Sequence, residues 1–183
     1  MTPTLSLTES QALTALRTFL VGVLAPGIEV VAGQDNRVPE PVGTDFVVMT
    51  PMLRERIETN ITTTTDGFFA TPAVPGTRAD LQPIKLTVQL DVHGPAGGDN
   101  AQTITTLFRS DYGVTAFAAS GFDVTPLYTG EPHQVPFLNA EQQIEERWSI
   151  DAVMQCNTIV TTAQDFAAAL SIGVIEVDAV YPP

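Results

Sequence analysis

Pro83-Ile84-Lys85-Leu86-Thr87-Val88-Gln89-Leu90-Asp91-Val92-His93 alternates apolar and polar side chains without a break, and its reading decides the fold. Even positions from Ile84 to Val92 are apolar; odd positions from Lys85 to His93 are polar. A second stretch, Glu146–Val160, repeats the pattern. Trp148, Ile150, Ala152, Met154, Cys156 and Val160 form one face, and Arg147, Ser149, Asp151, Gln155 and Asn157 the other. Successive strand residues point to opposite faces, so each stretch predicts a long strand with one buried and one wet face. One-sided burial belongs to antiparallel sheets, whereas parallel sheets are covered on both faces.

Working outward, helical spacing replaces the period of two. Thr8 followed by Gln11 is a capping box, and Leu13, Leu16, Leu20, Val23 and Leu24 then form one apolar stripe, widened by Phe19. Pro26-Gly27 ends that helix. Ile28–Val31 predicts a short strand, followed by the turn-rich run Gly33–Pro41 with prolines at 39 and 41. Asp45–Met49 and Leu53–Thr63 predict two further strands. Gly94-Pro95-Ala96-Gly97-Gly98 breaks the chain before a second helix, capped by Asp99 or Asn100 and carrying Ile104, Leu107 and Phe108. Its end falls between Ser110 and Gly121. Phe122–Tyr128 suits an edge strand, Ala163–Leu170 a short helical turn and Val174–Val180 a closing strand. The expectation is a single α+β domain over residues 1–183, an antiparallel or mixed sheet with two helices on one face.

Two segments exceed ordinary connections: 64–82 and 129–140. Each holds two prolines, and 64–82 also four threonines, which favours extended chain able to dock on a neighbour. Phe68, Phe69, Val135 and Phe137 are their expected interface anchors, and both loops are expected to be mobile in an isolated monomer.

Composition sets the class. In 183 residues, 44% hydrophobic content suits a folded core, and 8 basic against 21 acidic residues leave a formal charge of −13. That charge opposes binding to DNA phosphates or anionic membranes. Arg54 and Arg56 are offset by Glu55 and Glu58, so no basic patch forms. Cys156 is the sole cysteine and lies on an apolar strand face, which excludes an intrachain disulfide and suits a buried thiol. The N-terminus has no basic region followed by an uncharged apolar run, and Leu13–Leu24 is too short to span a bilayer; the expectation is a soluble, intracellular product without membrane partners.

Catalytic patterns are missing. No Gly-x-Ser-x-Gly elbow exists, and the glycines at 94, 97 and 98 are not followed by Gly-Lys-Ser/Thr. Asp91, His93 and Asp99 are the residues a metal or small-ligand site would use, yet the first two also belong to the polar face of a strand. The expectation is no enzyme, no catalytic residue, no metal and no cofactor, with that trio as the alternative.

The order of these motifs resembles the phage neck or tail terminator proteins, found at the head-to-tail junction of long-tailed bacteriophages. The resemblance rests on the helix ending at Ala25-Pro26-Gly27, the run Gln34–Pro41, and Asp45-Phe46-Val47-Val48-Met49. It continues through Leu86–Gly94 with the helix after it, a strand entered through Glu145-Glu146-Arg147-Trp148, and a closing strand. Asp35 and Glu40 depart from the family pattern, as do the long loops. The resemblance implies a structural virion protein assembled in the host cytoplasm, a hexameric ring capping the tail tube and joining it to the head connector. Tube protein, connector and tail sheath are the implied partners, with DNA passing through the bore unbound. A tail tube or baseplate ring subunit is the alternative within the same setting.

Overall fold

In the computed structural model, which describes residues 2–34, 41–67, 74–138, 142 and 144–167, the two alternating stretches are partners. In chain order the elements are β1 (Thr4–Leu5), α1 (Glu9–Val23), β2 (Glu29–Ala32), β3 (Phe46–Arg56), β4 (Ile61–Thr65), β5 (Thr77–His93), α2 (Gly97–Phe108), α3 (Asp111–Ala119), β6 (Val124–Thr129), β7 (His133–Gln134), β8 (Phe137–Leu138), β9 (Ile144–Glu145) and β10 (Arg147–Ala163). β5 and β10, each 17 residues long, pair antiparallel in one register from Arg147↔His93 to Ala163↔Thr77. Their apolar residues meet across the strands, as in Ile150↔Leu90, Ala152↔Val88 and Met154↔Leu86, all of which are buried. Such cross-strand pairs are the unit of sheet stabilisation.

Around this pair the main sheet runs β1–β10–β5–β3–β2. β6 and β7 also pair with β10, and β4 pairs with β5. β2 and β3 are parallel and the other pairings antiparallel, so the sheet is mixed. The α+β expectation holds, with three helices among the described residues where two were expected: the single helix expected after Asp99 is split. Gly113 sits at the split, where a β-carbon would come within 2.7 Å of the carbonyl oxygens of Leu107 and Phe108.

The Thr8–Gln11 capping box forms as expected, with Thr8 Oγ1 accepting from the Gln11 N–H and Gln11 Oε1 accepting from the Thr8 N–H. α1 buries Ala12, Ala15, Leu16, Phe19 and Leu20. Phe19 meets Phe108 of α2 edge-on at 5.6 Å and Phe117 of α3 at the same centroid distance, tying the three helices together over the sheet. Buried aromatics in edge contacts add about 0.5–1.5 kcal/mol per pair beyond their burial. α2 starts at Gly97, two residues before the expected Asp99 cap, and Ala96 at its N-cap makes no side-chain bond. Gly97 and Gly98 instead admit the Trp148 indole: a β-carbon on either would stand 3.2–3.3 Å from the ring. Gly94, at φ 100°, closes β5 against Thr44 and Asp45, and the Asp45 carboxylate accepts the Ala96 N–H at 2.9 Å.

Three strand expectations need correction. Asp45–Met49 and Leu53–Thr63 are not separate strands: β3 runs unbroken through Phe46–Arg56 with a bulge between Pro51 and Leu53, and β4 begins only at Ile61. The two ends of the expected loop 64–82 are strand, Thr64–Thr65 in β4 and Thr77–Gln82 in β5. Thr65 pairs with Thr77, so β4 and β5 form a hairpin, and β5 starts six residues before Pro83. Pro83 explains the break opposite it. Its carbonyl accepts the Ile57 N–H at 3.1 Å, but proline has no N–H to return, so pairing on that side stops, turns through 57–60 and resumes as β4. β10 extends to Ala163, where a helical turn was expected to begin; the rest of that turn beyond 167 and the closing strand Val174–Val180 lie outside the described residues.

Candidate interaction surface

The side chains proposed as an alternative metal site do not assemble. Asp91 and His93 are neighbours on one face of β5, both 8% exposed, whereas Asp99 is exposed in the first turn of α2. His93 stacks on Phe46, its cross-strand partner, with centroids 4.4 Å apart and planes 8° from parallel. Asp91 accepts two bonds from the Gln89 amide at 2.9–3.1 Å and lies 3.8 Å from Arg147 Nε. Among the described residues, no group of three or more His, Cys, Asp or Glu is placed to hold a metal ion. Burial lowers the His93 pKa below 6.5; Arg147 adds to that effect, and Asp91 and Glu145 oppose it. Cys156 is buried, and its thiol is pushed up to about 11 chiefly by desolvation, which leaves it a packing residue.

This end of the polar strand face is therefore not wet, contrary to expectation: Asp91, His93 and Ser149 are buried. Beside the far end of these two strands the opposite happens: Leu53 of β3 is 53%, Ile57 in the turn after it 42% and Ile61 of β4 52% exposed, and every residue of β4 is exposed. Leu53 and Ile61 lie in register with Thr87 and Leu81, on the sheet face turned away from the helices. Beyond Pro83 and Asn157, β5 and β10 thus continue as a ribbon, flanked by β4 on one side and β1 on the other. The Glu9–Arg54 ion pair ties the first turn of α1 to the end of β3, next to this ribbon. Within it Asp80 accepts from the Thr62 hydroxyl and pairs with Arg78 at 3.0 Å, which together hold its carboxyl below the usual range.

The two expected contact loops differ. Phe68 and Phe69 lie outside the described residues, as does the side chain of Phe137. Segment 129–140 is stitched down along much of its length. The Gly130 N–H bonds Asp151, β7 pairs with Trp148 and Ser149, the half-buried Val135 donates its N–H to Arg147 at 2.8 Å, and β8 pairs with β9. An open groove of about 490 Å³ lies between α1 and the β2–β3 edge, lined by Leu13, Arg17, Val30, Met49 and Pro51. No helix among the described residues is long and apolar enough to cross a membrane.

Fold and surface define a class: an α+β fold whose mixed sheet extends as a ribbon past the helix layer, with exposed apolar residues on and beside it. Residues 10–179 match the family described as phage neck terminator protein. The chain belongs to that family and is a component of the bacteriophage neck. No sequence among the curated proteins matches it.

Proposed function

We propose that this chain is the ring subunit that ends the phage tail at the neck: a homohexamer that caps the tail tube, joins it to the head connector and leaves a bore for DNA. Family membership across nearly the whole chain carries this reading. The bare ribbon supports it, because a subunit built to assemble keeps apolar sheet uncovered until its neighbours arrive. The charge of −13 fits as well, since an acidic ring repels the phosphates of DNA threaded through it. The protein is read as structural and not catalytic, assembled in the host cytoplasm into the virion. Phe68, Phe69, Val135 and Phe137 are contact residues in this reading. Deleting residues 68–75 is expected to abolish ring or neck assembly while leaving the circular dichroism of the subunit largely unchanged.

The decisive experiment is negative-stain imaging of the pure protein with a mass measurement at high concentration. Rings with a central hole, six subunits in mass and bound to the ends of isolated tail tubes are the expected result. A strictly monomeric species that ignores tail tubes overturns the proposal. Continued stacking into long tubes would instead mark a tube subunit.

A further inference from the structure

Across the ribbon stand four strands in the order β1, β10, β5, β4, each antiparallel to the next. Thr4, Thr161, Ala79 and Thr63 mark one row across all four. Among the described residues, neither β1 nor β4 carries a further strand on its outer edge. A bare edge exposes unpaired N–H and C=O groups, and proteins that avoid association blunt such edges with Lys, Pro or bulges. β4, Ile61-Thr62-Thr63-Thr64-Thr65, has none of these, and its β-branched residues favour the extended chain. At the other edge Pro3 removes one donor next to β1, which limits pairing there to the short stretch around Leu5.

Charge identifies the occupant. The ribbon strands, β1, β4, β5 from Thr77 to Gln82 and β10 from Asn157 to Ala163, carry one cation, Arg78, and one acid, Asp80. The other described residues hold six cations against fifteen acids. A second copy of so acidic a chain is repelled from most of this surface, but not from the balanced ribbon. We infer that the exposed edge of β4 is paired by the β1 edge of a second copy, head to tail. This deepens, and rests on, the ring reading. A contact between two unlike edges propagates and closes into a ring, whereas β4 against β4 would stop at a dimer. The strand count agrees: with four alternating strands per copy, rotation about an axis along the strands brings β1 to β4 antiparallel, preserving the order of the sheet.

Disulfide trapping tests this in the full chain, because the only native thiol, Cys156, is buried. Thr4→Cys is combined in turn with Ile61→Cys, Thr63→Cys and Thr65→Cys, spanning the possible registers of the edge. Each variant, single and double, is oxidised at assembling concentration and run on a denaturing gel. At least one double variant is expected to give a ladder reaching the ring size, while Thr4→Cys alone stays monomeric. Dimers from Thr63→Cys alone would mean that like edges meet, and would overturn the head-to-tail pairing. Rings in the micrographs without any ladder would overturn the edge assignment and leave the ring standing. Monomers in both assays would remove the ring reading and this inference together.

Discussion

The two ends of the β5–β10 pair are built from the same pattern and meet opposite fates. Near His93 and Arg147, helices cover the apolar face and even the polar face is buried, with Asp91, His93 and Ser149 at 8% exposure or less. Near Thr77 and Ala163, the register is unchanged but β4 is exposed throughout. One register with two burial states separates two jobs along a single pair of strands. The first end supplies the core that keeps the subunit folded. The second contributes little to that core, and its sheet is long for the domain it serves.

Substitutions can break this comparison. Phe108→Ala empties the contact among Phe19, Phe108 and Phe117 and is expected to cost roughly 3–5 kcal/mol, read as a large fall in melting temperature. Leu90→Ala, wholly buried between β3 and β10, should cost about 2–5 kcal/mol, and Thr87→Ala on the other face well under half as much. Equal losses at Leu90 and Thr87 would erase the distinction between faces.

A pH titration sharpens the buried end. His93 has a folded pKa below 6.5 because burial disfavours its cation, so the unfolded chain binds the proton more readily. Its contribution is fully present above pH 6.5 and is lost as the pH falls below that value through the folded pKa. His93→Gln should therefore flatten the melting temperature between pH 7.5 and 5.5, relative to the parent. An unchanged slope would place the pH response elsewhere. The smallest effects belong to the ribbon and the end of β3 beside it: Ile61→Ala and Arg54→Ala should change subunit stability by no more than about 0.5–1 kcal/mol, because both sites are half exposed. A loss at Ile61 as large as that at Leu90 would mean that the ribbon is part of the core after all.

The alternating stretches were legible because each face has one environment over most of its length, as were the Thr8 cap and the stop at Pro26-Gly27. The hairpin of β4 and β5 was harder to read. Pro83 looks like the start of a strand, yet it interrupts only one side of one, where the chain leaves β3 for β4. The signal was nevertheless present in the β-branched run Ile61–Thr65. The burial of His93 was hidden because its cover is Phe46, 47 residues earlier, which only the register brings alongside. The split of the second helix turns on Gly113, whose close packing against two carbonyls no periodicity reveals. The surface end was least legible: exposed Leu53 and Ile57 look like ordinary strand residues until the helix layer is seen not to cover them.

The register of β5 with β10 also has a kinetic consequence. Thr77 and Ala163 are 86 residues apart in the chain yet directly paired, and even the nearest pair, His93 with Arg147, closes a span of 54. Pairings of such separation are made late and slowly, because the loop must close before the contacts reward it. Until residue 163 has left the ribosome, β5 has its hairpin partner β4 but only part of its central one. The ribbon is completed last, and its β1 edge, which hangs on Val160 and Thr161 of β10, exists only on a chain whose core strands have already met.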